Sequence, residues 1–204
     1  MVNVYVEDND FLIKELVKRE FAWKVVEEST EADVILFSGG ADVSPELYGE
    51  RNRASFCNYA RDERCIELFE SFAGPKIGIC RGAQFLNVVS GGKMWQDVDN
   101  HTQSHMVRDQ RTQREYFCTS THHQMMRPGP DAQVVGIASP SRSINRVSDT
   151  VVEKFPSTDI EVLWYETTKS LCFQPHPEYS GHPECTQYFA ELVTEFFPQL
   201  VAEG

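Results

Sequence analysis

The sequence predicts an α/β fold: a three-layer sandwich with a mostly parallel central sheet and an antiparallel extension in the second half. Three observations carry this. Short apolar runs alternate with amphipathic stretches through the first half, Gly and Pro punctuate each switch, and β-branched runs take over beyond residue 115.

Val2-Asn3-Val4-Tyr5-Val6 reads as a first strand, ended by Glu7-Asp8-Asn9-Asp10. Phe11, Leu12, Leu16 and Val17 recur at helical spacing and predict a helix over 11–20. A short strand follows at 23–26, and a buried one at 32–37 runs into Ser38-Gly39-Gly40. A second helix is expected over about 61–72, with Ile66, Leu68, Phe69 and Phe72 inward and Gly74-Pro75 ending it. Lys76-Ile77-Gly78-Ile79 is another strand, with a helix over about 81–90. Strand–helix alternation of this kind gives a parallel sheet covered on both faces. Between about 115 and 174, short runs such as Val134-Val135 and Val162-Leu163-Trp164 lie between Pro, Gly and Ser clusters and predict antiparallel strands. Phe189, Leu192, Val193 and Phe196 mark a last helix. With no internal repeat or evident linker, residues 1–204 are expected to form a single domain.

Composition narrows the function. A net charge of −12 argues against non-specific nucleic-acid binding, and the basic cluster between Arg108 and Arg114 reads as a solvated loop. The apolar runs are too short to span a bilayer, and the N-terminus has no basic n-region, so a cytoplasmic protein without membrane partners is expected. Six cysteines at irregular spacing, with no C-x-x-C pair, are expected to be mostly reduced. No metal or other cofactor is expected. A metal site from His101, His105, His176, His182 and Cys185 would need His101 and His105 on one helical face, which their Thr-, Gln- and Ser-containing loop disfavours.

One cysteine stands apart. In Gly78-Ile79-Cys80-Arg81-Gly82-Ala83-Gln84 a buried strand stops at Cys80 and a helix starts at once, with glycines two residues to either side. That is the layout of a nucleophile elbow with Cys as the nucleophile. The helix N-terminus stabilises both a thiolate and the oxyanion formed when it attacks a carbonyl. Gly39-Gly40, at another strand end, can offer a second oxyanion donor. In Gln174-Pro175-His176-Pro177-Glu178, prolines hold the chain extended, so His176 and Glu178 point to one side. Glu178 can then orient His176 while His176 exchanges protons with Cys80.

Together these segments resemble the class I (triad-type) glutamine amidotransferase-like superfamily, and within it the γ-glutamyl hydrolases of the peptidase C26 group. Ser38-Gly39-Gly40-Ala41-Asp42-Val43-Ser44-Pro45 with Leu47-Tyr48-Gly49 is similar to one family segment, although Ser38 stands where Pro is usual. The elbow with Asn87 and Gly91-Gly92, then His122-His123-Gln124, then Gln174 to Glu178 are similar to three others. The resemblance implies a flavodoxin-like sheet and a catalytic triad of Cys80, His176 and Glu178. It implies an oxyanion hole from the backbone of Gly40 or Gly39 and of Arg81, and a glutamyl pocket lined by Gln84, His122, His123 and Gln124. The implied activity is hydrolysis of a γ-glutamyl amide, glutamine or a γ-glutamyl amine, through a thioester on Cys80. Two alternatives stay open: a glutaminase subunit delivering ammonia to a separate synthetase chain, and a non-catalytic binding module.

Overall fold

A nine-stranded mixed sheet organises the computed structural model, which describes residues 1–201. The strands are β1 (Asn3–Val6), β2 (Lys24–Val26), β3 (Val34–Phe37), β4 (Lys76–Ile79), β5 (Lys93–Trp95), β6 (Asp97–Val98), β7 (His105–Asp109), β8 (Glu115–Cys118), β9 (Met125–Arg127), β10 (Gln133–Ala138), β11 (Asn145–Val147), β12 (Val152–Lys154), β13 (Ile160–Tyr165) and β14 (Ser170–Phe173). The helices are α1 (Phe11–Phe21), α2 (Tyr59–Ser71), α3 (Arg81–Val89) and α4 (Pro183–Phe196). The large sheet has the order β2-β1-β3-β4-β14-β13-β10-β7-β8. Its first five strands pair in parallel and the rest are antiparallel, so the antiparallel extension is as wide as the parallel part.

Alternation along β3 makes the three layers. Val34 and Leu36 face one hydrophobic cluster, with Ile13, Leu16 and Val17 of α1 and Tyr188, Phe189 and Leu192 of α4. Ile35 and Phe37 face the other, with Cys65 of α2 and Ala83, Phe85 and Leu86 of α3. All four residues of β3 are buried, as a parallel strand covered on both faces requires.

Several local expectations need correction. The inner face of α1 is Ile13, Leu16 and Val17, while Phe11 and Leu12 are exposed. Ile66, Leu68, Phe69 and Phe72 do pack against the core, but the fully buried residues of α2 are Arg61, Asp62 and Cys65. β5, β6 and β7 occupy a stretch without a clear period-two pattern, where pairing partners far along the chain decide the structure. Arg108 therefore lies in β7, and the following turn is anchored: Arg111 binds Asp109 and Glu195, and Arg114 binds Glu191. Among the described residues, no helix is long and apolar enough to cross a membrane.

Candidate active site

Three adjacent parallel strands deliver the three predicted segments to one edge. β4 lies between β3 and β14, with Phe37 opposite Gly78 and Phe173 opposite Ile79. Ser38-Gly39-Gly40, Cys80 and Gln174-Pro175-His176 thus leave the sheet side by side at its carboxyl edge, where open α/β folds bind ligands.

Cys80 sits at φ 52° and ψ −110°, a strained conformation for a residue with a Cβ. The elbow is as tight as its sequence implies. A Cβ on Gly78 would lie 2.4 Å from the Gly82 carbonyl, and one on Gly82 would lie 2.0 Å from the Phe37 carbonyl oxygen. The Cys80 N–H donates to Phe173 O at 3.0 Å, tying the turn to β14. Cys80 is half-buried, and its Cβ lies 3.8 Å from where a Gly39 side chain would begin. His176 Cε1 lies 3.2 Å from that same point, so Gly39 leaves room for both side chains.

His176 Nδ1 bonds Glu178 Oε1 at 2.6 Å, and both side chains are nearly buried. The Thr119 hydroxyl accepts from His176 N at 2.6 Å, and Tyr179 stacks on the imidazole with centroids 4.4 Å apart. Burial opposes the imidazolium, but the neighbouring Cys80 and the hydrogen-bonded Glu178 outweigh it and push His176 up to about 10. Sequence reasoning missed Thr119 and Tyr179. Thr119 carries no local signal, whereas Tyr179 follows the His-Pro-Glu segment directly.

It also missed the frame behind the glycine loop. Arg61 forms a buried bidentate pair with Glu7, at 3.0 and 2.6 Å, and donates to Gly39 O at 2.8 Å and Ser38 Oγ at 2.9 Å. Ser38, unusual by the family pattern, is thereby part of the support. Burial resists the charge on Glu7, but Arg61 holds its carboxyl below the usual range. Breaking the pair leaves an uncompensated buried charge, so Arg61→Met is expected to cost about 3–5 kcal/mol in urea unfolding. A loss below about 1 kcal/mol would mean that the loop does not depend on the pair. The Arg81 side chain binds Asp62, whose other oxygen accepts from Ser44 N at 3.1 Å, linking the elbow to α2 and the Ser44 turn.

The residues expected to line a glutamyl pocket are dispersed among internal bonds. Gln84 Nε2 donates to Gln174 Oε1 at 3.2 Å and Gln124 O at 3.4 Å. Gln124 Nε2 donates to Ser55 Oγ at 2.7 Å, and His123 is half-exposed against Asp42 at 3.1 Å. His122 is buried in a separate cluster with His101, His105 and Glu161. A cleft of about 850 Å³ between α1 and α4 is lined by Glu178, Tyr179 and His182 but not by Cys80, so it does not coincide with this chemistry.

The peptidase C26 profile matches residues 19–164, well over half of the chain, and ends before His176. The chain belongs to the peptidase C26 family. The glutamine amidotransferase-like protein YvdE of Lactococcus lactis is 28% identical over 196 residues, covering 82% of this chain and 74% of the relative. A YvdE homologue from the subspecies cremoris is 32% identical over 120 residues, covering 47% of this chain and 64% of that one. Among solved structures, a glutamine amidotransferase from Thermotoga maritima superposes with a TM-score of 0.63 at 15% identity, covering 97% of this chain and 84% of that one. A candidate GMP synthase component from Thermoplasma acidophilum gives 0.66 at 15% identity, covering 98% of this chain and 97% of that one. The C26 chain thus shares the class I glutamine amidotransferase-like fold, and its membership supports amide hydrolysis as the general activity.

Proposed function

We propose that this C26 chain hydrolyses a γ-glutamyl amide bond, in glutamine or a γ-glutamyl amine, through a glutamyl thioester on Cys80. The observation that carries the reading is the meeting of Cys80 and His176 against Gly39, with Glu178 Oε1 2.6 Å from His176 Nδ1.

His176, pushed up to about 10, keeps its proton at neutral pH beside Cys80, which reacts as its thiolate. The thiolate attacks the γ-carbonyl, and the oxyanion is held by the backbone N–H of Arg81 and of Gly40 or Gly39. The imidazolium gives its proton to the leaving nitrogen as the C–N bond breaks, releasing the amine or ammonia. Neutral His176 then takes a proton from water, hydroxide adds to the thioester, and the thiolate departs to leave glutamate. Glu178 keeps the imidazole oriented and supports its charge. Gln84, His122, His123 and Gln124 act on substrate, in this reading, by shaping the pocket wall rather than through free side-chain donors.

Because His176 acts first as an acid, His176→Ala should nearly abolish hydrolysis of γ-glutamyl alkylamides and harm γ-glutamyl esters of good leaving groups less. Equal losses on both substrates would count against the acid role. Glu178→Gln, which keeps shape but loses charge, is expected to be milder than His176→Ala in steady-state turnover.

Thiol selectivity gives a second test. Burial pushes the Cys57, Cys65 and Cys172 thiols up, Cys65 to about 11, while Cys118 and Cys185 are fully buried. An electrophilic glutamine analogue should therefore label Cys80 first, read by mass spectrometry after brief exposure. Even labelling across the cysteines would refute its activation. The substrate is found by screening glutamine and γ-glutamyl amines for release of glutamate. Glutamine turnover that rises only with added cell extract would favour the glutaminase partner of a separate synthetase instead.

A further inference from the structure

A second cluster lies outside the proposed triad. His101, Asp159 and Glu161 are wholly buried, and His105 and His122 nearly so. They come from four places: the loop before β7 (His101), the start of β7 (His105), the loop between β8 and β9 (His122), and β13 with the residue before it (Glu161, Asp159). Their contacts converge on one carboxylate. Glu161 Oε1 lies 3.3 Å from His101 Nδ1 and 3.0 Å from His105 Nε2, and Oε2 lies 3.7 Å from His122 Nε2.

The far side of each ring decides what this convergence means. His105 Nδ1 is 3.2 Å from Gln103 O, and His122 Nδ1 is 2.7 Å from Gln124 O. A carbonyl only accepts, so each Nδ1 carries a proton, and when the ring is neutral its Nε2 turns a lone pair toward Glu161. Asp159 Oδ2 lies 3.1 Å from His101 Nε2, so this ring stands between two carboxylates, Asp159 on one side and Glu161 on the other. Three imidazoles thus converge on one carboxylate, each through a single ring nitrogen. His122 Nε2 and Glu161 Oε2 have no hydrogen-bond partner among the described residues, although buried polar atoms normally find one.

We infer that this cluster is a structural metal site, in which His101 Nδ1, His105 Nε2 and Glu161 bind a divalent transition cation, zinc foremost, with His122 Nε2 as the fourth donor. The first three donors lie within 4.8 Å of one another. The contacts of 3.0 and 3.3 Å are close to the edge of about 3.3 Å that tetrahedral zinc imposes on ligands at 2.0–2.1 Å. A second set of acceptors behind the imidazoles is the usual support of histidine ligands. Three buried donors, with His122 Nε2 3.7 Å from Glu161 Oε2 and drawn in by the metal as the fourth, describe a closed site, which contributes to folding rather than to chemistry. It would clamp the segment 119–124, whose Thr119 hydroxyl holds the His176 backbone. The sequence expectation of no metal rested on helical spacing, but an irregular loop brings His101 beside His105 without it.

The test uses the full chain with any affinity tag removed, produced with zinc supplementation, desalted and analysed by plasma mass spectrometry. One zinc per chain is expected, together with a lower melting temperature after chelation that zinc restores. Glu161→Gln and His105→Gln should lower metal content about tenfold or more, and Asp159→Asn should weaken affinity by about ten- to a hundredfold. Cys80→Ala should keep the metal in full. If the ligand variants fail to fold, metal-free wild-type chain titrated with cobalt(II) should give a tetrahedral nitrogen–oxygen spectrum without a sulfur charge-transfer band. A wild-type chain that binds neither zinc nor cobalt would overturn the site. So would a sulfur band, or undiminished metal in folded Glu161→Gln.

Discussion

Cys80→Ala is expected to remove at least about three orders of magnitude of γ-glutamyl turnover while leaving the fold intact, because nucleophile and base act as a unit and no neighbouring group replaces a missing thiolate. Four of the other five cysteines cannot stand in: Cys118, Cys172 and Cys185 are buried, and Cys65 lies against Arg81 in the opposite cluster. Alanine also relieves nothing in the turn, since φ 52° remains unfavourable for any residue with a Cβ. Circular dichroism and an unchanged urea midpoint would establish the folded state, and steady-state release of glutamate would give the loss. Turnover within about tenfold of wild type would remove Cys80 from the chemistry and with it the proposed thioester.

The second large effect falls on stability. In an ordinary helix interior, replacing Gly by Ala stabilises by about 0.5–1 kcal/mol. Gly82→Ala, in the first turn of α3, is expected to do the reverse and cost more than about 3 kcal/mol. Its Cβ would meet Phe37 O at 2.0 Å and Phe37 C at 2.5 Å, and these are backbone atoms that cannot rotate away. Phe37 ends β3, which is paired on both sides by β1 and β4, so relief requires moving the sheet or the elbow. Urea unfolding of Gly82→Ala beside wild type measures this. A midpoint equal to or above wild type would mean that α3 can shift away from β3, and that the elbow is looser than its contacts imply.

The first four strands of the parallel half and the site segments were legible because their signals are local, whereas β14, expected among the antiparallel strands, pairs parallel with β4. The run 34–37 is apolar at every position, as a doubly covered strand must be, and each site segment directly follows a short strand that is buried at every position. Gly78 and Gly82 were readable because a tight strand-to-helix turn excludes side chains at both positions whatever surrounds it. His176 and Glu178 do meet, but in a turn whose Tyr179 N–H donates to His176 O at 3.4 Å, rather than in the extended chain that Pro175 and Pro177 suggest.

What the sequence could not disclose depends on partners far along the chain. β5 to β7 have weak patterns and form through pairing with β9, β11 and β10, because strand formation responds to cross-strand neighbours more than to intrinsic preference. Arg61, in the first turn of α2, is drawn inside by Glu7, 54 residues earlier, to brace Gly39. Thr119 becomes a support of His176 from 57 residues away. The chain by itself therefore determined which residues can carry the chemistry, since tight turns and alternating strands are short-range steric facts. Tertiary structure decided which buried charges pair with which, and it gathered His101, His105, His122 and Glu161 from four segments, because such contacts exist only once the sheet has closed.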